Sequence, residues 1–232
     1  MGLQPADVTR ILQAGLPVLC LDTCSILDIL RDPTRDTAQP SDLAVALDLL
    51  DRIENQKTLV ALACDQVRQE FQEHVVNIQE ESKKALDKFR ERIERVNTIA
   101  AQFGANGALA TSHWDNHPQL ARSAADRLIN VAEHVPQSAD IPSRAHRRSV
   151  LAQPPSKKGK GSPGDCAIIE TYFETVGRLR SSGLSSKVVF LSSNTADYCA
   201  NGKLHTALQA EFAPLLMEYA PNFGAARHLL GL

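Results

Sequence analysis

The 232-residue sequence lacks the paired cysteines that a disulfide frame or a zinc knuckle needs. Its five cysteines, Cys20, Cys24, Cys64, Cys166 and Cys199, are scattered and odd in number, with no C-x-x-C pair. That usage predicts reduced thiols in a cytoplasmic protein. No N-terminal signal pattern appears, and no apolar run approaches the roughly 20 residues of a membrane span. No contact with a membrane is therefore expected. Net charge is also nearly absent: 25 Lys and Arg stand against 27 Asp and Glu, leaving −2. This excludes a basic nucleic-acid coat, so any nucleic-acid site must come from local clustering. Internal repeats are missing too. What is present is 43% apolar residues, enough for a sizeable core, over a length that suits one domain with an insertion.

The chain is organised around Val18–Leu30, VLCLDTCSILDIL. Its first four residues are apolar or small, as in a strand buried on both faces. Asp22-Thr23 ends that strand, and Ser25 to Leu30 continue as a helix. Ligands of open α/β sheets bind outside the carboxyl ends of the strands, where Asp22 falls. A lone buried carboxylate there is costly unless a cation or hydrogen bonds compensate it. The alternative role is a helix cap, and this stretch alone leaves both open.

Further along, Pro5–Gln13 predicts a leading helix, and Asp32 to Ser41 a polar break. A helix follows with Leu43, Leu47, Leu50 and Ile53 on one face. Thr58–Ala63 is a second buried strand. The next helix keeps three- and four-residue apolar spacing from Val67 to Phe103, with Glu70 in its opening turns. About 35 residues at ~1.5 Å each make a rod near 50 Å long, which should project from the domain. Gln119–His134 is its expected partner through Leu120, Ala124, Leu128 and Val131. Residues 73–135 are thus expected to form a helical hairpin inserted in a single α/β domain. His113 and His117 have the spacing of a zinc pair, but Pro118 follows at once, and a metal site there is not adopted. Trp114 is expected to anchor the hairpin tip by packing.

Residues 141–164 contain no acidic residue. They carry Arg144, Arg147, Arg148, Lys157, Lys158 and Lys160 among several prolines and glycines, predicting a mobile basic loop that contacts phosphates. Gly164-Asp165 then opens a helix at whose start a carboxylate is favoured by the dipole. Glu170 lies about 140° further round at ~100° per residue, away from Asp165. Lys187–Leu191 is a third buried strand, followed by Ser192-Ser193-Asn194-Thr195-Ala196-Asp197-Tyr198. Leu204–Phe212 is expected as a helix, Leu215–Tyr219 as a strand and Asn222–Leu230 as a closing helix.

Asp22, Glu70, Asp165 and Asp197 each fall at a strand end or in the helix that begins there. In a parallel sheet those ends share one edge. Four carboxylates on one edge repel one another unless positive charge sits among them, and magnesium and manganese prefer such oxygen ligands.

In these motifs the chain resembles PIN-domain nucleases: Leu21-Asp22-Thr23 after an apolar strand, V-x-x-E-F at Val67–Phe71, Gly164-Asp165 opening a helix, and S-x-N-x-x-D-Y at Ser192–Tyr198. It is similar to a larger bacterial PIN subgroup with a helical insertion. The resemblance implies a three-layer α/β/α sandwich around a central parallel sheet. It implies Asp22, Asp165 and Asp197 as ligands of Mg2+ or Mn2+, and Glu70 as the fourth acidic member. Asn194 stands where many members carry aspartate, so it would ligate without adding charge. Thr23 would orient the carboxylates, and Ser193 would assist near the phosphate. Arg147, Arg148, Lys157, Lys158 and Lys160 would guide RNA toward the acids. The implied activity is metal-dependent endoribonuclease, in a toxin-like or phage-defence role. Expected partners are single-stranded or loop RNA, an antitoxin or other regulatory protein, and another copy of the chain. One rival is a catalytically silent PIN module that binds RNA or protein as a scaffold. Another is a phosphotransferase using Asp22 as nucleophile, although Cys24 stands where that chemistry usually wants a second aspartate.

Overall fold

A computed structural model describes residues 2–159 and 161–232. In chain order it begins with α1 (Pro5–Ala14), β1 (Val18–Leu21), α2 (Thr23–Asp28), α3 (Pro40–Asp51), β2 (Val60–Cys64) and α4 (Asp65–Gln102). Then come α5 (His117–Val131), β3 (Glu133–Val135), α6 (Ile141–Val150), α7 (Pro163–Ser181) and β4 (Val188–Leu191). The chain closes with α8 (Thr195–Tyr198), β5 (Cys199–Ala200), β6 (Lys203–Leu204), α9 (Thr206–Phe212), β7 (Met217–Ala220) and α10 (Phe223–Leu230).

The core is a five-stranded sheet in the order β3-β2-β1-β4-β7, with every neighbouring pair parallel. Helices flank it, as in a PIN-like α/β/α fold. β1 is central: Val18 pairs with Val60 on one side and Val188 on the other. All four of its residues are buried, because helices cover both faces of a parallel sheet. Tyr172 of α7 seals the point where β1 and β2 end. Its hydroxyl donates to the Leu21 carbonyl at 2.6 Å and accepts from the Cys64 N–H at 3.4 Å. This satisfies backbone groups that would otherwise be buried unpaired just below Asp22. No helix among the described residues is long and apolar enough to cross a membrane.

β3 departs from the sequence-based expectation. The helix predicted to run through His134 stops at Val131, and Leu62–Cys64 pair with Glu133–Val135. A three-residue edge strand has too little sequence for an alternation signal; the open side of β2 makes it a strand. The predicted face of α3 holds at Leu50 and, just beyond the helix, at Ile53, which are buried, but Leu43 and Leu47 are exposed and Ala46 and Leu49 are buried with the former pair.

α4 has 38 residues, about 57 Å at ~1.5 Å per residue. α5 packs against its near half. The Phe89 and Trp114 rings stack at 5.8 Å, and Arg90 pairs with Asp115 at 2.8 Å. Ala124 and Leu128, expected in this interface, are buried together with Ala125 and Ile129, whereas Leu120 is 67% exposed.

The predicted basic loop is corrected over its first half, where Ile141–Val150 is α6. Pro142 does not prevent it, since a proline fits the first turn of a helix, where its missing N–H is not needed. Ile141, Ala145 and Arg148 form the buried side. Arg148 is 4% exposed. Its Nε lies 2.7 Å from Glu170 and its Nη2 lies 2.5 Å from Glu211. Arg144 pairs with both Glu170 and Glu174. The missing acids of this segment are supplied by α7 and α9.

Candidate active site

Asp22 follows β1 directly and is 2% exposed. It caps α2, its Oδ1 accepting from the Thr23 N–H at 2.8 Å. Its Oδ2 accepts from Ser192 Oγ at 2.5 Å and from Cys24 Sγ at 3.1 Å. Cap and site are therefore one arrangement. Thr23 Oγ1 donates to Glu70 Oε2 at 2.8 Å, and Gln66 Nε2 donates to Glu70 Oε1 at 2.9 Å. Glu70 is thereby tied from α4 to the end of β1. Gly164 gives it room: a Cβ at 164 would clash with Glu70 Oε1 and lie 3.3 Å from Gln66 Nε2.

Asp165 stands in the first turn of α7. Asp197 sits on α8, is 3% exposed, and accepts from Asn194 Nδ2 at 3.1 Å. The Asn194 amide also opposes the upward shift of Asp165. Lys157 Nζ lies 3.2 Å from Asp197 Oδ1 and donates to the Ala196 carbonyl. A groove of about 870 Å³ opens on the side of Cys24 and Asn194, with Arg31, Arg35, Ser193 and Phe223 also on its walls; none of the four acids lines it.

The acids act on one another electrostatically. Burial pushes Asp165 up to about 7, and the neighbouring carboxylates of Asp22, Glu70 and Asp197 push in the same direction. Asp22 is raised to about 6, chiefly by burial; hydrogen bonds from Ser192 and Cys24 pull it back, and Glu70 pushes it up. Four segments far apart in sequence thus deliver carboxylates into one field.

The matched family model is that of the PIN domain, over residues 19–198. The chain belongs to the PIN-domain family. The matched span runs from β1 to the end of α8, so it includes all four acids. No curated protein and no solved structure matches the chain. PIN domains are generally nucleases and typically use divalent metal ions.

The donor chemistry of this PIN domain fits such an ion. Every acidic donor is a carboxylate oxygen, the preference of hard cations, and the pressure on Asp165 is of the kind a cation relieves. Among the described residues, no three His, Cys, Asp or Glu side chains are gathered closely enough to hold an ion as they stand.

The remaining expected site residues divide. Thr23 is buried and hydrogen-bonded to two carboxylates, Asp22 and Glu70. Asn194 presents its amide nitrogen to Asp197. Ser193 lines the groove. Arg148 is corrected from phosphate contact to buried structural partner, because three acids around α6 hold it and Arg144. Arg147 and Lys158 are exposed. Lys160 lies outside the described residues. Sequence reasoning misses Ser192 and Cys24 as partners of Asp22. Their positions, just after β4 and two residues after Asp22, are the signal that could have found them.

Proposed function

We propose that this PIN domain is an endoribonuclease dependent on Mg2+ or Mn2+ that hydrolyses single-stranded or loop RNA. The observation that supports the reading is that Asp22, Glu70 and Asp197, on separate segments at strand ends or the helices that begin there, all press on the carboxyl of Asp165. Asp22, Asp165 and Asp197, with Glu70, would hold the metal. Bound there, it supplies Lewis acidity toward the phosphodiester and acidifies water. Thr23, Ser192 and Cys24 keep Asp22 oriented and Asn194 donates to Asp197. Glu70, held by Thr23 and Gln66, would act on the metal directly or through water bound to it. Water attacks phosphorus in line, the bond to the 3′ oxygen breaks, and a 5′-phosphate and 3′-hydroxyl remain. The groove beside Cys24 and Asn194 receives the strand, with Arg147 and Lys158 available to its backbone. A toxin or defence role, with the hairpin meeting a regulator or a second copy, belongs to the same proposal.

The test is cleavage of single-stranded RNA by purified protein with Mn2+, against Asp22→Asn. The variant should lose about a hundredfold or more. Equal activity in both proteins would overturn the reading. If neither cleaves but both bind RNA, the scaffold alternative takes its place.

A further inference from the structure

We propose that Lys157 is the exchangeable cation of the acidic site. Its ammonium holds Asp197 until a divalent ion takes that carboxylate, and then neutralises the phosphate of the incoming RNA. This deepens the ribonuclease reading and rests on it.

The first support is that both oxygens of Asp197 are engaged. Asn194 Nδ2 reaches Oδ2 at 3.1 Å and Lys157 Nζ faces Oδ1 at 3.2 Å. An ammonium at Oδ1 repels a divalent cation brought to the same carboxylate. A metal recruiting Asp197 is therefore opposed by Lys157 and favoured by its departure.

The second support is that the backbone delivering Lys157 is anchored. Buried Arg148, held by Glu170 and Glu211, donates to the Pro154 carbonyl at 2.7 Å. The Gln153 N–H returns to the Arg148 carbonyl at 3.0 Å, and the Ser156 N–H to Gln153 at 2.9 Å. Ser156 itself is buried. So α6 fixes the stem of the segment, and the side chain beyond it is aimed at α8.

The third support is freedom at the tip. The Lys157 side chain is 44% exposed, so the ammonium can leave Asp197 without unfolding its stem. Lysine suits such exchange because it is a compact charge on a flexible four-carbon chain, without the fixed fork of arginine. Released at the margin of the acids, it stands where a phosphate bound to them would be neutralised.

Exchange predicts effects of opposite sign on two ligands. In the metal-free full chain without RNA, Lys157→Met should bind Mn2+ at least about fivefold more tightly than wild type, measured by paramagnetic resonance of free Mn2+. With Ca2+ present, the same variant should bind a labelled single-stranded RNA less tightly, with a shallower salt dependence. Lys157→Arg should stay close to wild type in Mn2+ binding. Unchanged or weaker Mn2+ binding by Lys157→Met overturns the exchange, whether or not the protein cleaves RNA. A loosened loop cannot imitate the expected result, because it would weaken metal binding. Failure of all three proteins to bind Mn2+ overturns the metal-dependent reading and the exchange with it. Tighter Mn2+ binding with no RNA cleavage by wild type leaves the exchange at Asp197 standing and removes the ribonuclease reading.

Discussion

Ser192 Oγ donates to Asp22 Oδ2 at 2.5 Å, joining the residues that follow the two central strands, β4 and β1. The bond favours the charged carboxylate and opposes the burial that raises Asp22 to about 6. In Ser192→Ala the Asp22 carboxyl should therefore rise further and hold its proton to higher pH. Metal must displace that proton, so Mn2+ binding should weaken more at pH 6 than at pH 8. Equal weakening at both values would mean that Ser192 acts through packing alone.

Asp165 offers a test on stability. Its carboxyl is raised from 3.8 to about 7, so between those values the native state binds the proton that the unfolded state has released. Its contribution is therefore most favourable at low pH and is lost as pH rises through about 7. Metal-free protein should gain stability as pH falls from 8 toward 5. Asp165→Asn, neutral throughout, should melt about 3 °C or more above wild type at pH 8 and keep only a part of that advantage at pH 5, where the native carboxyl is protonated. Mn2+ should raise the melting temperature of wild type more than that of the variant. A variant no more stable at pH 8 would show that the acids do not strain one another.

The basic residues of 141–159 should separate into two classes. Arg148→Met strips Glu170 of a partner in a nearly closed site, so unfolding in urea should show a loss of about 3 kcal/mol. Arg147→Ala and Lys158→Ala, both at exposed positions, should leave the urea midpoint unchanged and weaken RNA binding alike across sequences. A stable Arg148→Met that merely binds RNA poorly would return Arg148 to the phosphate-contacting group.

Much of the fold is legible one residue at a time. Val18–Leu21 and Val188–Leu191 are unbroken apolar runs, and only strands covered on both sides suit them. Asp22 and Asp165 fall at the strand end and helix start that the local pattern marks. Three- and four-residue spacing announces α4. Its partner face is legible at Ala124 and Leu128 but not at Leu120, where the period holds and only the reach of the contact leaves the side chain exposed. α6 is obscured for a similar reason. Within 141–164 there is nothing to balance Arg144 and Arg148, and the acids that do so lie 22 to 63 positions further along the chain.

The sequence by itself determined where the carboxylates stand along the chain, because strand and helix signals are local and each acid lies within a few residues of one. Tertiary structure alone decided their company. It put Ser192 and Cys24 on Asp22, turned the nitrogen of Asn194 toward the acids, buried Arg148 and sent Lys157 to Asp197. The physical reason is that charge interactions depend on separation in space, and no spacing in the chain encodes which distant partner will close the gap.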